Sequence, residues 1–128
     1  MDRMIEPETL RAGNHREILA KAALRAAKRL KMKNVELAQV IGVSEATISN
    51  ADRHRQPLPN DAKKLEIATL FIRLYRSLDA IVGGDDDVAA AWLRNANTAL
   101  NARPIDAIKT LTGLYDVVAY LDARRALV

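Results

Sequence analysis

Residues 34–53 read Asn34-Val35-Glu36-Leu37-Ala38-Gln39-Val40-Ile41-Gly42-Val43-Ser44-Glu45-Ala46-Thr47-Ile48-Ser49-Asn50-Ala51-Asp52-Arg53. Every position that two helices joined by a tight turn would constrain carries the residue type required. Ala38 is small where the helices cross most closely. Gly42, four residues on, stands where the chain leaves the first helix and needs a positive φ. Val43 plugs the turn, and Ser44 offers its hydroxyl as the N-cap of the second helix. Leu37, Ile41 and Ile48 are the apolar contacts that pack the pair onto its neighbours. The stretch predicts a helix-turn-helix.

The second helix then presents Glu45, Ala46, Ser49, Asn50 and Arg53 outwards. These are short or polar side chains able to approach base edges, with Asn50 suited to adenine and Arg53 to guanine or phosphate. Thr47 is expected on a phosphate. Arg55 and His54, just beyond, reach for the backbone. The candidate DNA-contacting set is therefore Ser44, Glu45, Ala46, Thr47, Ser49, Asn50, Arg53 and Arg55. Glu45 and Asp52 work against it, unless they accept from cytosine or pair with Arg53.

The charge distribution supports the same reading. Residues 1–60 hold 11 Lys/Arg against 7 Asp/Glu, while residues 61–128 hold 9 of each, so the whole excess of +4 lies around the helix-turn-helix. A polyanion such as operator DNA would be held there. Alanine and leucine far outnumber the aromatics, which favours helix over strand, and an all-α fold is expected. The absence of cysteine excludes a disulfide framework, a thiolate nucleophile and a zinc ribbon. His15 and His54 have no partner nucleophile or ligand cluster, so neither an enzyme nor a cofactor or metal site is expected. No apolar stretch approaches the roughly 20 residues that span a bilayer. The N-terminus lacks the apolar core of a signal peptide, which points to the cytoplasm.

Upstream, residues 1–13 contain Pro7 and Gly13 and read as a short arm. Asn14 is the expected N-cap of a helix over about 15–32, with an apolar stripe of Leu19, Ala22, Ala23, Ala26 and Leu30. Lys21, Arg25, Lys28 and Arg29 form another face, with no acid between Lys21 and Lys33. That face is either a solvated surface or one that skirts DNA phosphates.

Downstream, Gln56-Pro57-Leu58-Pro59-Asn60 is a connector, and Asn60 or Asp61 caps a long helix to about Val82. Its apolar residues fall in two rows, Ile67, Phe71, Leu74, Leu78, Ile81 and Leu65, Ala68, Ile72, Tyr75, Val82. So wide an apolar surface predicts burial on two sides, between the two halves of the chain or at a dimer interface. Gly83-Gly84 ends that helix. Asp85-Asp86-Asp87 begins the next by capping it, since the alternating ligands of a calcium loop are absent. Three short helices follow, at about 86–95, from Pro104, and at about 113–125. The expected division is a DNA-binding unit over 1–60, a connecting helix over 61–82, and a C-terminal unit over 83–128.

In that last unit Trp92-Leu93, Asn97, Leu100, Pro104-Ile105, Gly113, Val117-Val118 and Leu121 follow the order W-L-(x3)-N-(x2)-L-(x3)-P, a short helix, then G-(x3)-V-V-(x2)-L. This order resembles the toxin-binding domain of the Xre/MbcA/ParS antitoxin family, and residues 34–53 are similar to the phage-repressor-like (Xre) helix-turn-helix that precedes it in that family. The resemblance implies a type II antitoxin. Its partner would be a toxin with an RES domain, a fold that consumes NAD or transfers ADP-ribose, whose NAD pocket the antitoxin's terminal segment enters or covers. Carried onto this sequence, the toxin contacts would involve Trp92, Asn97, Pro104, Leu121, Arg124, Arg125, Leu127 and Val128. Trp92 has an alternative place in the core. Arg124 and Arg125 have an alternative role against the C-terminal helix dipole.

One departure from the family is the pair Asn101-Ala102, where glycines are usual. Asn tolerates the left-handed conformation and Ala does not, so the loop before Pro104 is expected to differ. An operator read by one such helix is too short for useful specificity, so a homodimer reading paired half-sites about one helical turn apart is expected, with the widely apolar helix 61–82 as the candidate interface. The rivals are a stand-alone repressor with a dimerising or ligand-binding C-terminal half, and a protein-binding adaptor.

Overall fold

A computed structural model describes the backbone of residues 7–127 and the side chains of residues 14–127. Among the described residues seven helices follow one another: α1 (Pro7–Arg29), α2 (Asn34–Ile41), α3 (Glu45–His54), α4 (Ala62–Ile81), α5 (Asp86–Arg94), α6 (Pro104–Ala107) and α7 (Leu111–Arg125). Among the described residues the only extended pairing is one isolated bridge between Asn97 and Ala102.

Helix starts are set by local side chains. The Ser44 hydroxyl accepts the Thr47 N–H at 3.1 Å. Asp61 accepts from Lys63 and Lys64, and Asp85 from Asp87 and Val88. Asp85 is thus a cap, as its place in the acidic triplet predicts. Gly42 takes a φ of 85° at the end of α2. The Val43 N–H there returns to the Ala38 carbonyl at 3.1 Å, closing the turn and seating Val43 against the core.

α1 departs from the sequence reading at both ends. It begins at Pro7, so Asn14 lies inside the helix and caps nothing, and only residues 1–6 of the expected arm remain outside the described residues. Proline suits the first helical position because its missing N–H needs no partner there. The helix also stops at Arg29, because Lys31 adopts a left-handed φ of 57°. The Met32 N–H then bonds the Ala27 carbonyl at 2.9 Å. That is a Schellman closure built on lysine rather than glycine.

α4 is the axis of the molecule. It packs on α1 and α2 along one side and on α7 along the other, with α5 also against it. Phe71, Leu74 and Leu78 are consequently shut off from solvent within the chain. Leu114, Val117, Val118 and Leu121 of α7 close the core from the C-terminal side. The connector is pinned by buried Leu58, whose carbonyl accepts from Arg16 at 3.2 Å.

Two ion pairs tie the N-terminal half to α5. Arg94 engages Glu36 in a fork, at 3.0 and 2.8 Å, and also donates to the Lys31 carbonyl at 3.1 Å. Lys31 pairs with Asp87. Glu36 additionally accepts the Lys33 N–H at 2.9 Å, so one carboxylate caps α2 and anchors α5. The Arg94 hydrogen bonds, assisted by the Lys33 N–H, hold the Glu36 carboxyl below the usual glutamate range despite its partial burial.

Gly113 occupies the tightest contact. A Cβ built there would stand 1.9 Å from the Ala107 carbonyl oxygen and 2.9 Å from the Thr110 hydroxyl. That hydroxyl caps α7 by accepting the Gly113 N–H at 3.1 Å. The glycine is required by the approach of the α6 backbone.

Two outcomes follow. Gly113→Ala is expected to lower the unfolding free energy by about 2–3 kcal/mol, as overpacking against backbone does, measured by urea denaturation. Glu36 contributes stability that is present above its unfolded pKa of about 4.3 and is lost as pH falls through its lower folded value. Glu36→Gln is therefore expected to cost about 1–2 kcal/mol at neutral pH and to flatten the acid limb of a thermal-stability titration. An unchanged acid limb in that variant would remove the clasp from the account of stability.

Candidate functional site

α3 is held by its inner face and offers the outer one. Ile48 and Ala51 are buried against α2 and α1, while Glu45, Ala46, Asn50 and Arg53 are exposed and Ser49 is half-buried. Ser49, Glu45, Ala46 and Arg53 line an open hollow of about 410 Å³ together with Asn34, the first residue of α2. Asn34 was not singled out by sequence. It lines the hollow because α2 packs against α3.

Two members of the expected DNA-contacting set have other work. The Ser44 and Thr47 hydroxyls lie 2.9 Å apart within the cap, so both are engaged in starting α3. Arg55 is exposed and forms the C-cap with a left-handed φ of 53°, where the chain turns out of the helix. Asp52 pairs neither with Arg53 nor with anything on the outer row. Its carboxylate meets Lys28 of α1 at 2.7 Å. An acid next to the recognition row is thereby neutralised from behind, which lowers its cost to a polyanion.

The C-terminal half carries a second surface. Trp92 of α5 and Tyr120 of α7 stack with ring centroids 6.2 Å apart and planes 14° from parallel. The Arg124 guanidinium lies over the other partner, 5.0 Å from the Tyr120 centroid. Both rings are half-buried, so Trp92 belongs partly to the core and partly to this ladder. Leu127 extends beyond it, 83% exposed. Offset aromatic pairs and cation–π contacts fix large side chains with little remaining freedom, a favourable property for an interface. Tyr120 was missed by sequence because nothing local pairs it with a residue 28 positions earlier.

Other residues of the expected toxin set are placed differently. Leu121 is 2% exposed and Pro104 is buried, so both support the surface from beneath and neither is available to a partner. Asn97 is half-buried and structural. Its Oδ1 accepts the Leu100 N–H at 3.1 Å while its backbone pairs with Ala102. The loop closes with Asn101 at a φ of 54°, and Ala102 needs no left-handed geometry, which is why glycine is dispensable at both positions. Arg125 turns to α4, where its Nη1 lies 3.5 Å from the Ser77 hydroxyl. Ser77, fully buried, donates to Asp122 at 2.8 Å, and Asp122 pairs with Arg73 at 2.6 Å. Val128 lies outside the described residues.

Among the described residues no helix is long and apolar enough to cross a membrane. Compared with known proteins, residues 10–73 match the model of the antitoxin Xre-like helix-turn-helix domain. Residues 77–126 match that of the antitoxin Xre/MbcA/ParS C-terminal toxin-binding domain. No curated protein matches the chain. The two matches meet inside α4, the helix on which both halves pack. The chain therefore belongs to the Xre family of antitoxins, with a helix-turn-helix in front of a toxin-binding domain.

Proposed function

We propose that this antitoxin neutralises an RES-domain toxin, one that consumes NAD or transfers ADP-ribose, by laying its C-terminal surface over the toxin's active site. We propose also that it binds operator DNA through α3 and so regulates its own operon. The observation that carries the reading is the separation of two prepared surfaces on one core. α3 is mounted on α1 and α2, whereas the Trp92–Tyr120–Arg124 ladder is mounted on α5 and α7. A chain that only repressed transcription would use the second surface to dimerise or to bind a ligand, whereas the match to a toxin-binding domain favours a toxin there.

On this reading the protein acts by occlusion rather than catalysis, in the cytoplasm and without a cofactor. Leu127 and Arg124, at the end of α7, would reach the toxin pocket first. The guanidinium suits a site built to receive a phosphate-bearing substrate only if it meets an acidic group there, as a counter-ion to the toxin's own residues. DNA recognition would use two copies on paired half-sites about one helical turn apart. Among the half-buried apolar residues that α4 leaves for such pairing is Leu70, beside exposed Leu111 and Tyr115.

The deciding experiment is co-expression with the adjacent open reading frame, followed by affinity purification and assays of growth and NAD level. The neighbour alone is expected to arrest growth or drain NAD, and this chain to rescue the cells and co-purify. A harmless neighbour with no complex would overturn the antitoxin–RES pairing. Two variants separate the surfaces. Asn50→Ala with Arg53→Ala is expected to weaken operator binding about 10- to 100-fold and leave neutralisation intact, since each base-edge contact is worth about 1–3 kcal/mol. Arg124→Glu with Leu127→Glu is expected to weaken the toxin complex about 30-fold or more and leave DNA affinity within twofold. If either pair abolished both activities in a folded protein, the two surfaces would not be independent.

A further inference from the structure

Beside α3, and sharing no lining residue with the hollow at Arg53, an open groove of about 630 Å³ runs between α1 and the C-terminal end of α3. Its floor is small and apolar, made by Ala20, Leu24 and Ala51. Its walls carry five cations against two acids, Glu17 and Asp52. Two of those cations are already engaged: Lys28 pairs with Asp52, and Arg29 donates to the Tyr75 hydroxyl at 3.3 Å. Lys21 and Arg25 on α1, and Arg55 at the end of α3, are exposed and have no ion-pair partner among the described residues.

Lys21 and Arg25 stand one turn apart on the same stripe of α1, where like charges repel unless an anion lies between them. Arg55 lines the same groove from the end of α3. The three therefore converge on one channel bounded on one side by the helix proposed to read DNA. A helix lying in the roughly 12 Å-wide major groove has a sugar–phosphate backbone on either flank. We infer that the groove between α1 and the end of α3 is a phosphate-binding channel, which takes the DNA backbone flanking the operator half-site through Lys21, Arg25 and Arg55. The inference rests on the DNA-binding reading of α3 and extends the contact surface onto α1. Continuity with α3 and the concentration of the chain's whole positive excess in residues 1–60 favour duplex DNA over an acidic peptide. The channel contributes affinity and register without reading sequence, because phosphates are alike at every step.

The test is a salt titration of duplex binding by the full chain, with promoter DNA and with a random-sequence duplex. The variant is Lys21→Gln, Arg25→Gln and Arg55→Gln together, all at exposed positions, with thermal unfolding checked against the wild type. Neutralising three phosphate contacts is expected to make the slope of log K against log salt shallower by about 2 to 3. Promoter and random DNA should lose affinity by the same factor, and trimming the DNA that flanks the half-site should no longer matter to the variant. Lys21→Arg with Arg25→Lys should keep the wild-type slope. A triple variant with the wild-type slope would overturn the channel while leaving α3 as the reader. Loss of toxin binding with DNA binding intact would also overturn it, because the groove would then take protein. A wild-type chain that binds no duplex at any salt would overturn the reading of α3 and the channel together.

Discussion

Burial of α4 on two opposite sides is the constraint on which the rest of the molecule depends. Phe71, Leu74 and Leu78 are fully buried, and each such side chain contributes about 1.5–3 kcal/mol relative to exposure. α1 and α2 supply one wall and α7 the other. Neither half is large enough to cover this helix unaided, since small units bury too little of their surface. The DNA-facing half and the toxin-facing half thus share a core, and the matches to their two families meet within the helix that both enclose.

That shared core explains why the two surfaces hold fixed places. α3 gains its position from Ile48 and Ala51, and the aromatic ladder gains its own from Leu93 beneath α5 and Val117 and Leu121 beneath α7. The Arg94–Glu36 clasp adds direction to what is otherwise apolar packing. Its fork geometry, together with the bond to the Lys31 carbonyl, ties the last turn of α5 to the end of α1 and the start of α2. Charge-assisted, partly buried pairs of this kind hold an angle that hydrophobic contacts leave free. On the opposite side, Ser77, Asp122, Arg73 and Arg125 do the same between α4 and α7.

Much of this was legible in the residues themselves. The helix-turn-helix, its cap at Ser44, its turn at Gly42, the Asp85 cap and the burial of the α7 stripe all follow from signals that act within a few residues. The failures are equally local in origin. Asn14 resembles a cap, but an asparagine inside a helix costs only a few tenths of a kcal/mol, and Pro7 supplies an equally good start. The end of α1 escaped notice because Lys31 takes a left-handed φ, a place where glycine or asparagine is the usual sign. Leu121 and Pro104 read as contacts from their place in a family pattern, whereas packing puts them under the surface.

What the sequence determined alone was the helical periodicity, the caps at Ser44 and Asp85 and the polar row on α3, because hydrogen bonds to neighbouring N–H groups and 3.6-residue periodicity need no distant partner. Tertiary structure decided every pairing between distant residues. It set Lys28 rather than Arg53 against Asp52, stacked Tyr120 on Trp92, and gathered Lys21, Arg25 and Arg55 around one groove. Gly113 marks the boundary between the two. The sequence displays it as one letter of a pattern, and its necessity comes from the Ala107 carbonyl, which the fold brings within 1.9 Å of where a Cβ would be.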